Sequence, residues 1–493
     1  MSPLLGRLGP SLAMIAFVLG GVFVACGIAM VACGAVAIDD GEAVAALAVP
    51  GAATGVLGLA MLSAALRAAP RGLTVRPVAG LAAVTLAWVG ASVVGAAPFL
   101  AAGTFGSPLD AFFEAASGFT TTGSTLLADI EAEPDGILLW RSLTQWLGGV
   151  GIVVLVVAIA PVSGPGLQRA FYAETSGVTA ERLTPRIVDT AKIIGAIYLA
   201  LSLGAAVAYA LAGMGAFDAI NHSMTTIATG GYSTHTASIA AFDSLAIELV
   251  AIVFMVLSGI NFAFYWRAVR RRPLMPQAAE VLAFVAILAA VIAAVTLSLE
   301  LADDVSGAGQ SLRGSTFSAT SIMTTTGYTT VDFDAWNSFA RVAILVLMSF
   351  GACAGSTAGG IKTIRLVLLG KSGRQELDRQ LQPKAIKVLR FGGHNYSEDV
   401  RRAVLGFFLV YVLVYVTGTL AMAACGLDPV TSISAVAATL DMVGPGLGEV
   451  GATDNFEAVP PFGRAVLPML MIAGRLEVFT VVALLAAIFR LRR

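Results

Sequence analysis

Four short apolar segments of this chain each run into a loop rich in threonine and glycine, and each loop is followed by a long hydrophobic stretch. The segments cover residues 109–122, 216–229, 313–326 and 429–442. Aligned on Gly123, Gly230, Gly327 and Gly444, the loops lie 107, 97 and 117 residues apart. Self-similarity at a long period indicates one structural unit used repeatedly. Each segment is too short to cross a bilayer, so we expect it to enter and leave on the same side.

The composition places this unit in a membrane. Hydrophobic residues make up 57% of the 493 residues and charged residues only 12%, which excludes an ordinary soluble protein. Roughly ten stretches are long enough to cross about 30 Å of hydrocarbon. They lie near residues 12–37, 45–68, 78–100, 137–160, 190–213, 243–267, 278–301, 336–370, 402–424 and 462–489. Irregular backbone at membrane depth is tolerated only inside protein or beside a wet cavity, so four such loops predict a shared pore.

The distribution of charge predicts the orientation. Basic residues follow the second, fourth, sixth and eighth stretches and close the chain, whereas acidic residues occupy the other connections. The positive-inside rule therefore places both termini in the cytoplasm, in the plasma membrane (the inner membrane of a bacterium). Each unit then starts and ends on the cytoplasmic side, which makes the repeats parallel about an axis along the membrane normal.

The predicted fold class is an all-α integral membrane protein with four parallel helix–pore-loop–helix repeats around a pseudo-fourfold pore, plus two extra N-terminal membrane helices. The two peripheral helices occupy residues 1–70 and the first repeat residues 71–165. The second repeat covers 166–272, and the third covers 273–370 and includes an intramembrane loop. A cytoplasmic linker and the fourth repeat fill residues 371–493. The cysteines show no paired spacing, which favours buried thiols over disulfides or a metal site: Cys26, Cys33, Cys353 and Cys425.

The four loops have the chemistry of a site for a monovalent cation. A K⁺ ion is held by several carbonyl oxygens, because carboxylates would bind it too tightly for release. Glycine allows successive carbonyls to point the same way. None of the loops carries an acid at the aligned glycine or at the two residues before it. One such loop alone would be an ordinary turn, but four in register predict a ring of carbonyls around a permeating cation.

The loop sequences resemble the superfamily of Trk, Ktr and HKT potassium transporters, and the bacterial TrkH family within it. The matching segments are Phe119–Ser124, Ile227–Ser233, Met323–Tyr328 and Gly444–Gly448. The resemblance covers essentially the whole chain and implies a single-chain pore, assembled as a homodimer, with K⁺ ions in the filter. It places the filter at Thr121, Thr122, Gly123, Ala228, Thr229, Gly230, Thr325, Thr326, Gly327, Met442, Val443 and Gly444.

Departures within the loops refine what the resemblance implies. Glycine in all four loops is similar to the K⁺-preferring members, whereas a serine in the first loop would imply Na⁺ permeation. The fourth loop replaces the Thr-Gly pattern with Val443 and carries Pro445. One quadrant of the filter is therefore expected to be asymmetric.

A second motif, Gly351–Thr363, has the composition of a phosphate-binding loop but not its register. A P-loop needs adjacent Gly and Lys, whereas Ile361 separates the two here, and the motif follows a membrane helix rather than a strand. We therefore expect no bound nucleotide in this chain. A Gly-rich break in a spanning segment permits unwound backbone in a cavity, although a packing kink is an alternative. The resemblance implies an intramembrane gate formed by Gly351, Gly355, Ser356, Thr357, Gly359 and Gly360.

Arg475 lies within the last predicted span, where an ionisable group is costly and indicates function. Glu477 does not share its helix face, so we expect the two side chains to have different partners. The resemblance implies that Arg475 projects into the pore beneath the filter and holds the gate through backbone carbonyls. A buried interhelical ion pair is the alternative. Glu114 is expected to tether the filter from behind, and His222 to donate to backbone.

The leading prediction is channel-like K⁺ uptake driven by the membrane potential. An H⁺- or Na⁺-coupled symporter would need titratable or carboxylate groups in the pore, and the predicted filter residues include none. A membrane enzyme would need a nucleophile–base pair, and the few histidines give Ser356 no base, so no enzymatic activity is expected. The resemblance implies a cytosolic TrkA-type nucleotide-binding ring as regulatory partner, docked on the basic loops. The other expected partners are the lipid bilayer and a second copy of the chain, and no nucleic-acid partner is expected.

Overall fold

The structure is a computed structural model that describes residues 3–37, 41–68, 77–159, 187–275, 277–305, 307–382, 388–478, 481, 482 and 484. Two of the basic clusters that support the predicted orientation lie outside these residues, namely the one around residues 169–186 and the one at the chain end. The described chain is built almost entirely from helices, as predicted. The exception is one small hairpin, in which β1 (Leu389–Phe391) pairs antiparallel with β2 (His394–Tyr396).

The helices follow the predicted order of two extra helices and four repeats. The first half of the chain contains α1 (Pro3–Val36), α2 (Gly41–Ala68), α3 (Pro77–Gly95), α4 (Ala97–Ala101), α5 (Pro108–Phe119), α6 (Asp135–Ile159), α7 (Ile187–Leu211), α8 (Ala216–Ile227), α9 (Leu245–Ser258) and α10 (Phe262–Val269). The second half contains α11 (Gln277–Ala302), α12 (Ala308–Met323), α13 (Ser338–Met348), α14 (Thr363–Leu381), α15 (Glu398–Ala424), α16 (Pro429–Leu440) and α17 (Pro461–Arg475).

The first two helices form a tight hairpin through glycine contacts. A Cβ added to Gly20 would lie 2.8 Å from the carbonyl oxygen of Gly58, and one added to Gly27 would lie 2.6 Å from that of Gly51. Small residues allow helix backbones to approach this closely in a membrane. α1 also packs against α3 and α6, so the hairpin lies outside the repeats and against the first of them.

The four predicted short segments are helices that end at the Thr/Gly loops. They are α5, α8, α12 and α16, and only α12 differs clearly from its prediction, because it begins at Ala308 rather than near residue 313. The start of α5 is fixed by Ser107, whose hydroxyl accepts the Leu109 amide at 3.2 Å, and by proline at the first helical position. Asp428 caps α16 in the same way.

The predicted span over residues 243–267 is wrong as a single helix. It is broken between α9 and α10, which meet at 87°. Asn261 caps α10 by accepting the Ala263 amide at 2.8 Å, and the Phe262 amide donates to the Gly355 carbonyl of another repeat at 3.1 Å. A side-chain cap and a partner from elsewhere in the chain satisfy the backbone groups that the break releases.

Two further predicted spans are also interrupted. The span over residues 336–370 divides into α13 and α14, which are joined by an irregular stretch, residues 349–362, that we call the intramembrane loop. The span over 462–489 is interrupted after Arg475, where the chain turns through Glu477 and Val478, both with positive φ. Residues 481, 482 and 484 are again helical, and the rest of this predicted span beyond residue 478 lies outside the described residues. Among the described helices, six are long and apolar enough to cross a membrane, or seven if α9 and α10 count as one crossing.

Candidate functional site

The four Thr/Gly loops share one backbone conformation, and this conformation defines which residues are equivalent. After each short helix comes a residue with a positive φ near 55°, at Thr121, Thr229, Thr325 and Met442. The amide of the next residue then donates to the carbonyl five positions earlier, at 2.8 to 2.9 Å in every loop. The donors of these bonds are Thr122, Gly230, Thr326 and Val443.

The second loop was misaligned by one residue in the prediction. Its positive-φ glycine, with φ of 76°, is Gly231, which therefore matches Gly123, Gly327 and Gly444. Gly230 instead matches Thr122, and the predicted filter residue Ala228 is the helix cap. Two adjacent glycines allow either register, and only the backbone angles distinguish them. The equivalent triplets are residues 121–123, 229–231, 325–327 and 442–444.

The equivalent glycines close the loops into a ring. A Cβ on Gly123 would strike the carbonyl oxygen of Gly230, and one on Gly231 would strike that of Thr326. A Cβ on Gly327 would strike the Val443 oxygen. The fourth contact returns to the first loop, because a Cβ on Gly444 would lie 3.0 Å from the Thr122 oxygen. Each loop thus abuts a carbonyl of the next, and the order of the repeats around the ring follows the chain.

Side chains behind the ring differ between neighbouring loops. In loops 1 and 3 a threonine pair is hydrogen-bonded at 2.8 Å, Thr120 with Thr122 and Thr324 with Thr326. In loop 2 the amide of Gln145 donates to the Gly230 carbonyl at 2.7 Å. The predicted asymmetry of loop 4 is therefore part of a wider alternation, in which opposite loops 1 and 3 are alike and loops 2 and 4 each differ.

A buried ion pair supports the first loop. Arg141 Nε lies 3.0 Å from Glu114 Oε1, and both side chains are at most 1% exposed. Glu114 also accepts the Leu126 amide at 3.1 Å, while the Arg141 guanidinium stacks over the Tyr232 ring of the second loop. Glu114 is thus in contact with the chain that leaves loop 1, where a tether was expected. Arg141 was missed, although an arginine inside a predicted span is itself a signal.

His222 has two partners beside the second loop. Its Nδ1 lies 2.9 Å from the Asp218 carbonyl oxygen and its Nε2 lies 3.0 Å from the Ser233 hydroxyl. With both ring nitrogens occupied and the side chain fully buried, the geometry is that of a packing residue.

The intramembrane loop touches the underside of the ring. Its Gly359 amide donates to the Thr325 hydroxyl at 2.6 Å, and its Thr357 hydroxyl donates to the Ile227 carbonyl at 3.0 Å. A Cβ on Gly359 would strike the Asp441 carbonyl oxygen. The tip of the loop is therefore in contact with three of the four repeats.

The remaining glycines and serine of this motif shape the loop itself. Gly355 and Gly360 have positive φ, 78° and 64°, which other residues adopt at a cost. A Cβ on Gly351 would strike the Gly359 carbonyl, so the two limbs of the loop lie against each other. Ser356 donates to the Cys353 carbonyl at 2.7 Å, within the same turn.

Arg475 joins three elements beneath the ring. Its Nη1 donates to the Thr121 hydroxyl at 3.1 Å and to the Thr357 carbonyl at 3.0 Å. Its Nη2 donates to the Gly148 carbonyl at 2.8 Å. All three acceptors are uncharged, which does not match the alternative of a buried ion pair. The carboxylate of Glu477 pairs instead with Arg365, so the two neighbouring side chains do have different partners.

A cavity of about 150 Å³ lies between the intramembrane loop, Arg475 and the end of α16. Charged side chains of both signs line it: the basic residues are Lys362, Arg365 and Arg475, and the acidic ones are Asp441 and Glu477. The Lys362 ammonium donates to the Ala358 carbonyl of the loop. Within the described ranges, no group of three or more His, Cys, Asp or Glu side chains is arranged to hold a metal ion.

The fold and this site together define a class, that of membrane proteins in which four pore loops of one chain surround a single axis. Comparison with known proteins identifies the group within it. The TrkH family, described as a cation transport protein, matches residues 53–490. The chain belongs to this family and is a multi-pass membrane protein, and the predicted fold class and family resemblance are confirmed.

Individual relatives match over most of their length. The Trk system potassium uptake protein TrkH of Vibrio parahaemolyticus is 42% identical over 416 residues, which cover 83% of this chain and 85% of that protein. TrkH of Escherichia coli is 39% identical over 414 residues with the same coverage. The crystal structure of the potassium transporter TrkH from Vibrio parahaemolyticus has a TM-score of 0.85, at 37% identity, covering 96% of this chain and 98% of that one.

Proposed function

We propose that this protein takes up K⁺ through a channel-like pore. The observation that carries the proposal is the closed ring of four loops, each presenting one carbonyl next to the glycine of its neighbour. Such a ring can replace part of the hydration shell of K⁺ while binding it weakly enough for release. The relatives named as potassium uptake proteins support K⁺ as the cation.

In this proposal, the filter consists of the four equivalent triplets, with Gly231 in place of Ala228. K⁺ enters partly dehydrated from the outer side, and the membrane potential drives it inward with about 2.3 kcal/mol per charge per 100 mV. The intramembrane loop is the gate, and its contacts with three of the repeats support a closed position for it. The positive charge of Arg475 repels a cation beneath the filter, and its hydrogen bond to the Thr357 carbonyl holds the gate in place.

The same proposal includes the assembly and its location. We place both termini in the cytoplasm of a bacterial cell and the chain in the inner membrane, because the predicted basic connections then face inward. The name of the relatives refers to a Trk system, which favours a further component. We propose a cytosolic TrkA-type ring that binds nucleotides and acts on the cytoplasmic elements α14 and β1–β2, and a homodimer of the membrane subunit.

Tracer flux into liposomes tests the proposal. Purified protein is reconstituted, and uptake of radioactive rubidium is followed with a K⁺ gradient as the only driving force. We expect uptake that external K⁺ inhibits and that external Na⁺ does not. Uptake that requires an imposed H⁺ or Na⁺ gradient would instead establish a coupled symporter. Empty liposomes and liposomes with the Gly231→Ala variant serve as controls, because a Cβ at residue 231 strikes the Thr326 carbonyl.

A further inference from the structure

Glu280 is a buried carboxylate that neither the filter nor Arg475 explains. It lies in the first turn of α11, is 2% exposed, and was not recognised in the sequence. One of its oxygens, Oε1, accepts two backbone amides: that of Ala354 in the intramembrane loop at 2.7 Å and that of Ile364 in α14 at 3.2 Å. Oε1 of Glu280 therefore connects Ala354, in the first half of the intramembrane loop, to the start of α14.

The second of these bonds completes a helix end that lacks its own cap. Lys362 is the cap residue of α14 and makes no capping bond with its side chain. The first amides of a helix have no partner within it, and a negative charge is favoured at this end of the helix dipole. Glu280 supplies the hydrogen-bond acceptor from a different helix, α11.

The position of α14 gives this contact a consequence. α14 starts where the intramembrane loop ends and continues to Leu381, and its Lys371 ammonium contacts the Arg390 carbonyl of β1 at 2.7 Å. The helix thus runs from the loop to the small hairpin, in the part of the chain that carries the predicted cytoplasmic linker. Because Glu280 holds both its start and Ala354, a displacement of α14 disturbs the loop at two points.

We propose that Glu280 is a positioning residue that fastens the intramembrane loop to the start of α14 and keeps the loop in its closed position. The role of the loop as a gate rests on the proposed function, whereas the fastening itself does not. Loss of the carboxylate leaves two buried amides without an acceptor, which favours conformations in which the loop is displaced and its backbone is hydrated.

Cys353, adjacent to Ala354, is a native reporter of loop position. Its thiol is free and fully buried. In a background in which Cys26, Cys33 and Cys425 are replaced by alanine, the rate of modification of Cys353 by a water-soluble methanethiosulfonate reagent measures displacement of the loop. We expect Glu280→Ala to raise this rate about tenfold, because two buried amides lose their hydrogen-bond acceptor. Rubidium uptake should rise in parallel.

Two matched variants separate positioning from general destabilisation. Glu280→Gln retains an oxygen that accepts both amides, so its modification rate should stay within about twofold of the parent. Glu248→Ala removes a similarly buried carboxylate from α9. Glu248 pairs with Arg313 at 2.7 Å rather than with the intramembrane loop, so this variant should leave the modification rate of Cys353 unchanged.

An unchanged Cys353 rate in folded Glu280→Ala protein would overturn the proposal, as would an equal rise in Glu248→Ala. The thiol assay does not depend on ion flux. If the parent protein conducts no rubidium while the Cys353 rates follow the expected order, the proposed function fails and the positioning role stands. If the parent protein conducts rubidium but the Cys353 rate is unchanged in Glu280→Ala, the positioning role fails and the proposed function stands.

Discussion

Replacing Arg475 by alanine tests both parts of the proposed gate at once, because the side chain contributes a charge and a set of hydrogen bonds. The variant removes the bonds to Thr121, Thr357 and Gly148. It also removes a full positive charge from beneath the filter. We expect rubidium uptake to increase, and the distance between Arg475 and an ion in the filter sets an upper limit on this increase.

The charge contributes the larger effect. Arg475 Nη1 lies 3.1 Å from the Thr121 hydroxyl, so an ion coordinated by that hydroxyl would sit roughly 6 Å from the guanidinium. At an effective dielectric constant of about 20, the repulsion is about 3 kcal/mol, or roughly a hundredfold in rate. The rise should lie between about tenfold and this limit, since the intramembrane loop still obstructs the pathway through its other bonds.

Lysine at the same position separates the two contributions. Arg475→Lys retains the charge but not the fork that reaches three acceptors at once, so we expect a smaller rise than with alanine. Arg464→Ala is the matched control, because it removes an arginine from the same helix, α17, where it pairs with Asp110 at 2.7 Å. The measurement is initial uptake per correctly inserted protein. Wild-type flux in Arg475→Ala would refute the reasoning and leave the side chain with a structural role.

Three further predictions concern the filter and its support. Gly231→Ala should reduce uptake more than Gly230→Ala, because only Gly231 has a positive φ and meets backbone; equal losses in the same flux assay would contradict the corrected register. Arg141→Met should lower the melting temperature strongly, because breaking a buried ion pair costs about 3–5 kcal/mol. Neutralising its partner Glu114 in the same protein should recover part of the loss, and size exclusion after heating measures both effects. Hydrogen bonds, foremost one with the Thr431 side chain, lower the pKa of Asp428 below its ordinary value, so its capping of α16 stabilises the fold above the ordinary pKa and this contribution is lost as the pH falls through the lowered one. Asp428→Ala should therefore lower the melting temperature at pH 7 and have little effect near pH 2; a pH-independent difference would show that the carboxylate is not the cause.

The repeats could be predicted from the sequence because each carries its own local signal. An apolar segment too short to cross a membrane, followed by Thr and Gly, identifies a re-entrant helix without knowledge of its neighbours. The four short helices α5, α8, α12 and α16 have this form, and each ends directly before its Thr/Gly loop, as predicted. The register within loop 2 could not be predicted, because Gly230 and Gly231 can both adopt a positive φ and the contacts that distinguish them, with Gln145 and with loop 3, come from elsewhere in the chain.

The interruptions of the long helices were harder to predict because they depend on partners from distant repeats. Nothing in the apolar sequence of residues 243–267 requires a break, apart from Gly259 and Asn261. The break is stabilised by the Gly355 carbonyl, almost a hundred residues further along the chain. Arg141 and Glu280 were missed for a different reason. Both are ionisable residues within apolar predicted spans, as Arg475 is, so the same sequence signal identifies them.

The breaks account for how the irregular backbone of the intramembrane loop can be buried at membrane depth. The Cys353 amide donates to the Gly259 carbonyl at 3.0 Å, and the Gly355 carbonyl accepts the Phe262 amide at 3.1 Å. The backbone hydrogen-bonding groups at the break between α9 and α10 are therefore partnered by those of the intramembrane loop. Displacement of the loop exposes polar backbone on both sides, which is tolerable only if water replaces the lost partners. If the loop is the gate that we propose, its opening and the wetting of the inner cavity are therefore one step, and a loop held aside in a dry cavity is not expected to be stable.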